Sequence, residues 1–218
     1  METFLDDKEV RILGCLIEKE MTTPEYYPLS LNSLINACNQ KSNRNPVVSF
    51  DETTVTRGLE SLQEKGLVLK TFAAGSRVPK YIHSLLDRFD LLRQEMAILC
   101  ELMLRGPQTV GEIRSRAERM ASFENLEEVE KTIISLAEQD PPLAVKLPRE
   151  AGRKENRYMH LFSGSSITEK TAYDLPAEPA APLIQANERI VKLEEEIVRL
   201  RTEVEELKQA FAELKSQL

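Results

Sequence analysis

The chain has 218 residues, 41% of them hydrophobic and 30% charged, with a formal net charge of −7 and no tryptophan. This balance fits an ordinary folded protein of one or two domains. No run of about 18 apolar residues occurs, so no membrane span is expected, and Met1–Asp7 lacks the basic flank and apolar stretch of a signal peptide, which predicts a cytoplasmic protein. Residues 1–86 carry 10 basic and 11 acidic groups, residues 87–162 carry 12 and 14, and residues 163–218 carry 7 and 11. Neither folded part is basic as a whole.

The first helix is expected over Asp7–Met21, where Val10, Leu13, Leu16, Ile17 and Met21 recur at helical spacing before Thr22-Thr23-Pro24 ends the run. A second follows the N-cap residue Ser30, with Leu31, Leu34, Ile35 and Cys38 on one face. The polar stretch Asn39–Pro46 reads as a loop. A third helix starts after Asp51 and is stopped by Gly66. Leu67–Thr71 and Val78–His83 read as two strands around a Gly75-Ser76 turn. The order then repeats: a helix over Asp87–Leu104, a second opened by the capping box Thr109–Glu112, a third opened at Asn125–Glu128, and strands at Leu143–Leu147 and Arg157–Phe162.

The repetition is also literal. Ala74-Gly75-Ser76-Arg77-Val78-Pro79-Lys80-Tyr81-Ile82-His83 returns as Ala151-Gly152-Arg153-Lys154-Glu155-Asn156-Arg157-Tyr158-Met159-His160, and the chain's two histidines fill the same slot. A duplicated unit of three helices and a hairpin is expected. In each hairpin Tyr and His share one face of their strand, where they are expected to hold the hairpin against its own copy.

Residues 163–182 are rich in Ser, Pro and Ala and read as a linker. Ile190, Leu193, Ile197, Leu200, Val204 and Leu207 then alternate at spacings of three and four, the pattern of a left-handed two-stranded coil. A parallel homodimer would set Arg189 against Glu194, Glu196 against Arg201 and Glu203 against Lys208 of the partner helix. A helix folded back on its own domain, or an antiparallel pair, is the other reading. The fold class is therefore mainly α with small β-hairpins (α+β): two tandem winged-helix domains at 1–86 and 87–162, a linker at 163–182, and a coiled-coil helix at 183–218.

Ile12–Lys19, Thr23–Asn32 and the run Cys38-Asn39-Gln40-Lys41-Ser42-Asn43-Arg44-Asn45-Pro46 resemble the YceH-like family of bacterial proteins, over about residues 4–162 and into the helical tail. The resemblance implies tandem winged helices and no defined activity.

Function must be sought in how the copies differ. On the third helix of copy one, Val55, Leu59 and Leu62 form the core side. Thr53, Arg57, Glu60 and Glu64 lie opposite, flanked by Thr54, Thr56 and Ser61. Threonine hydroxyls bond phosphates or base edges, and Arg57 is suited to guanine. No acid occurs between Glu25 and Asp51, where Lys41 and Arg44 lie, or between Glu64 and Asp87, where Lys65, Lys70, Arg77 and Lys80 lie. Thr53, Thr54, Thr56 and Arg57 are thus expected in a DNA groove, with Lys41, Arg44, Arg77 and Lys80 on phosphates. The run of amides around Lys41 and Arg44 could instead bind an anion or nucleotide, although a loop of turn formers is the plainer account.

In copy two the same register gives Glu127, Glu128, Glu130 and Lys131, a face that repels phosphate, and Ile134 replaces Glu60 on the outward side. That points to a protein contact. The function expected is a dimeric winged-helix DNA-binding protein acting as a transcriptional regulator through duplex DNA. The alternative is a non-enzymatic interaction adaptor of the chromosome-segregation accessory type, with a partner at copy two. The three cysteines, Cys15, Cys38 and Cys100, form no CxxC and no Cys/His cluster, so buried thiols are expected and no metal or cofactor. The sequence holds no nucleophile with a base, no carboxylate dyad and no phosphate loop, so no enzyme activity is expected.

Overall fold

Local chemistry sets the helix ends in the computed structural model, which describes residues 4–72, 77–149 and 155–163. Asp6 caps helix α1 (Asp7–Thr22) by accepting hydrogen bonds from Lys8 N and Glu9 N, both at 2.8 Å, while the Glu9 carboxylate accepts from Asp6 N at 2.7 Å. These reciprocal bonds satisfy amides that a helix start leaves open. Ser30 caps α2 (Leu31–Cys38), and Asp51 caps α3 (Glu52–Glu64) through Thr54 N at 2.8 Å. Just past the end of α3, Gly66 adopts φ 68°, the left-handed turn that glycine enters without steric cost.

Strands β2 (Val68–Phe72) and β3 (Pro79–His83) follow, and the two-residue strand β1 (Leu29–Ser30) adds to β3, giving an antiparallel order β1-β3-β2. A two-residue strand shows no alternation of its own, so the sequence pattern does not mark it. The helix expected over Asp87–Leu104 is instead two: a single turn α4 (Leu85–Arg88), an extended step, then α5 (Arg93–Arg105). The step forms because Glu95 accepts from Leu92 N at 2.8 Å, which starts a new helix, while Phe89 turns to meet Phe162 edge-on at 6.1 Å. Helices α6 (Val110–Ala117) and α7 (Leu126–Glu138) and the antiparallel pair β4 (Ala144–Lys146) and β5 (Tyr158–His160) complete the set. The described protein is a mixed α and β structure of seven α-helices with small antiparallel sheets. The positions 183–218, including Ile190, Leu193, Ile197, Leu200, Val204 and Leu207, lie outside the described residues.

The duplication extends to individual bonds. Leu67 N donates to Leu62 O and Leu143 N to Leu136 O; Ser84 N donates to Leu67 O and Leu161 N to Leu143 O, all at 2.9 Å. Ser61 Oγ donates to Glu9 at 2.5 Å, and Ser135 Oγ to Glu95 at 2.8 Å. Each hairpin tyrosine also meets the residue before the N-cap of its second helix, Tyr81 against Leu29 and Tyr158 against Gln108.

The apolar faces of both copies merge into one core. Helix α1 is buried along nearly its whole length because α3 packs on one side and α5 on another. At Gly14 a Cβ would stand 3.0 Å from Leu104 and 3.1 Å from Met103, so the missing side chain permits the close approach of α1 and α5. Leu5 N donates to Phe162 O at 2.7 Å, which joins the first segment to the last described one.

Tyr81, His83, Tyr158 and His160 are all buried. The His83 ring bonds the Glu20 carboxylate, fixing its hairpin to the end of α1, and its backbone N–H donates to the Tyr27 hydroxyl. His160 differs. Met159 beside it is also buried, because β5 packs against α5, and burial pushes the His160 imidazole down to about 4.

This gives a pH dependence with a definite sign. The folded chain keeps His160 neutral, whereas the unfolded chain protonates it near 6.5. Stability is therefore full above 6.5 and falls as pH drops from 6.5 towards 4. Urea unfolding of wild type against His160→Gln should show a slope difference of up to about 1.4 kcal/mol per pH unit in that window; parallel profiles would remove His160 as the cause.

Candidate nucleic-acid interface

The loop after α2 departs from expectation. Arg44, expected on a phosphate, is withdrawn from solvent. Its guanidinium donates to both Glu18 oxygens at 2.9 and 2.5 Å, to Ala37 O at 2.9 Å and to Cys15 Sγ at 3.4 Å. Glu18 itself is 1% exposed and also takes Arg119 at 2.8 Å and Lys19 at 3.2 Å. Arg119 reaches on to the fully buried Glu101 at 2.7 Å, and Arg105 meets the same carboxylate at 3.0 Å. Burial alone would raise the Glu18 carboxyl, but the Arg44 hydrogen bond and the charges of Arg44, Arg119 and Lys19 hold it at about 2.

The neighbours of Arg44 are structural too. Asn45 N donates to Leu104 O at 3.0 Å, Asn43 accepts from Arg105, and Arg11 donates to Pro46 O at 2.7 Å. Asn39 exchanges two bonds with the Phe50 backbone. The amide-rich run is thus a clamp between the copies, which leaves the anion-binding reading of this loop without its arginine. Cys15, Cys38 and Cys100 are free and buried beside it. Lys41 is exposed on the same loop.

The remaining expected residues form a surface. Thr53 and Arg57 are exposed on α3, and Thr54 and Thr56 are half-buried. Thr53, Thr54 and Arg57 come together at a recess of about 370 Å³, bordered by Asp6 and Lys8 from the start of α1. Asp51 stays anionic there, since Thr54 bonds its carboxylate and Arg57 lies nearby, holding its pKa below the usual range. Ser61 and Glu9 also line the recess, where Ser61 Oγ donates to the Glu9 carboxylate and Lys65 Nζ meets the same carboxylate at 2.6 Å. Arg77 is exposed and Lys80 half-buried on the first hairpin, where Lys80 pairs with Thr71 and Ser30 in the sheet.

Copy two offers the opposite surface. Lys131 pairs with Glu127 at 3.0 Å, both 73% exposed, and Glu130 accepts from the Tyr158 hydroxyl at 3.3 Å. Arg157, which matches Lys80, is tied to Pro107 O and to Glu112. Ile134 is 45% exposed and Leu126 50%. Among the described residues no group of three His, Cys, Asp or Glu side chains is placed to hold a metal, and no helix is long and apolar enough to cross a membrane.

Comparison with known proteins identifies the lineage. The family described as "Protein of unknown function, DUF480" matches residues 5–153. A UPF0502 protein of Geotalea uraniireducens is 55% identical over 195 residues, covering 88% of each chain. One of Geobacter sulfurreducens is 53% identical over 197 residues, again 88% of each. One of Koribacter versatilis is 58% identical over 160 residues, 73% of this chain and 74% of its own. The chain belongs to this bacterial family, which is the YceH-like family its motifs resemble.

The clamp makes a prediction that separates Arg44 from the exposed cations. Arg44→Met should cost about 3–5 kcal/mol of stability, the usual penalty for stranding a buried charge, while Lys41→Ala should stay within about 0.5 kcal/mol of wild type. Equal urea midpoints for all three proteins would refute the clamp.

Proposed function

We propose that this DUF480 protein is a dimeric DNA-binding protein built on two tandem winged-helix domains, at 1–86 and 87–162, and that it acts as a transcriptional regulator. The observation that carries the reading is the contrast between the two third helices. The outward face of α3 presents Thr53 and Arg57, with Thr54 and Thr56 at its margins, whereas the matching face of α7 presents Glu127, Glu130 and Lys131. Hydroxyls and a guanidinium suit base edges and phosphates; the two carboxylates oppose them. Lys41, Arg77 and Lys80 supply backbone contacts beside α3, and Arg44 drops out of that set. The heptad run from Ile190 to Leu207 supports a parallel dimer that fixes the spacing of two half-sites.

A second reading has its own support. Ile134 and Leu126 are exposed on α7, and an apolar residue within an acidic face suits a protein partner. Under this reading the protein is an adaptor of the chromosome-segregation accessory type, and Ile134→Asp disrupts the complex.

Fluorescence anisotropy of labelled duplex DNA, titrated with the full chain at two salt concentrations, tests the first reading. Binding should weaken steeply with salt. Arg57→Ala should cost about tenfold in affinity for the preferred sequence, and Lys80→Ala should lower the salt slope by about one. Binding that neither substitution alters would refute the assignment of these residues. Light scattering of residues 1–182 against the full chain should show the dimer lost on truncation; an unchanged mass would remove the coil from the mechanism.

A further inference from the structure

The first hairpin carries an aromatic side chain out of the core. Phe72 is 58% exposed, and Lys70 Nζ sits 5.8 Å from its ring centroid. The strand register pairs Val68 with His83, Lys70 with Tyr81 and Phe72 with Pro79, so these six residues share one face of the hairpin. At its base this face is buried by Val68, Tyr81 and His83. The Tyr81 hydroxyl is held above its usual range first by burial and then by the charge of Glu60 on α3. Farther out, the same face leaves the core and ends at Phe72.

The second hairpin lacks the device. Pro148 stands in the slot of Phe72 and Glu155 in that of Val78, and Lys146 lies 5.9 Å over the buried ring of Tyr158 instead. The exposed ring is thus confined to the copy whose third helix carries Thr53 and Arg57. No acid occurs between Glu64 and Asp87, a stretch holding Lys70, Arg77 and Lys80. An exposed π face among cations complements a nucleobase and its phosphates. In an intact duplex both faces of every base are occupied by stacking. A ring reaching from a hairpin therefore engages a base only where pairing and stacking are already broken, or pays to break them.

We propose that Phe72 is a stacking residue for an unpaired base, so that DNA containing unpaired bases is the preferred ligand of this protein. The proposal rests on the DNA-binding reading and adds a ligand class to it. The ring supplies the stacking surface, Lys70 and Arg77 hold the flanking phosphates, and the face of α3 meets the adjoining duplex.

The test uses the full chain and two fluorescent probes, a perfectly paired duplex and the same duplex with a central bubble of unpaired thymines. Wild type should bind the bubble about tenfold more tightly than the paired duplex, the scale of one stacked base. Phe72→Ala should lose that preference while keeping its affinity for the paired duplex, and Phe72→Trp should restore it. A 2-aminopurine placed in the bubble should change emission on binding wild type and not on binding Phe72→Ala. Equal affinity of wild type for both probes, or a preference that survives in Phe72→Ala, would overturn the stacking proposal and leave duplex binding standing. Failure to bind either probe would overturn both.

Discussion

Everything else in the described protein depends on the buried ion pair between Arg44 and Glu18. A guanidinium and a carboxylate removed from water must satisfy each other almost completely, and here they do so by recruiting neighbours from every direction: Ala37 O from the end of α2, Arg119 after α6 and, through it, Glu101 from α5. The pair thereby fixes the loop to α1 and α1 to the second copy. It also explains the residue run that carries the family resemblance. Asn39, Asn43, Arg44, Asn45 and Pro46 each bond backbone or buried charge, so the most distinctive segment of the chain is an internal fastening. Its strength has a pH limit of known sign: Glu18, held at about 2, contributes fully above its ordinary value near 4.5 and loses that contribution as pH falls through 2.

Much of the architecture was legible because its signals are local. Caps at Ser30, Asp51, Thr109 and Asn125, the stop at Gly66, and the apolar periods between them are decided within a few residues. The features that escaped are decided at long range. Arg44 reads as a surface cation from its polar neighbours, and only the folded chain brings Glu18 to it across 26 positions. A hint was present: Arg11, Cys15 and Glu18 recur at helical spacing along the buried stretch of α1. The break between α4 and α5 combines the local bond of Leu92 N to Glu95 with Phe89 meeting Phe162, a distant contact. Of the residues expected on DNA, Thr53, Thr54 and Arg57 converge at one recess because they lie on one helix, whose period the sequence does reveal.

The two copies have kept their internal bonds and exchanged their surfaces. The serine-to-glutamate link, the strand-closing amides and the buried Tyr-x-His recur in both. Third-helix faces and hairpin ends do not: threonine and arginine oppose glutamate, and Phe72 opposes Pro148. Such a division follows from energetics. A change in the shared core strands a polar group or opens a void at a cost of several kcal/mol, whereas a change on the outward faces is nearly free, so the surface is where one copy can acquire a task the other lacks.

The bond between Leu5 and Phe162 has a topological consequence. With first and last described segments side by side, the chain follows a closed circuit through its two copies, and the place where that circuit is cut is arbitrary as far as packing is concerned. Bridging the two segments and opening new ends at the extended step between α4 and α5 would give a circular permutant in which copy two precedes copy one, with every buried bond retained.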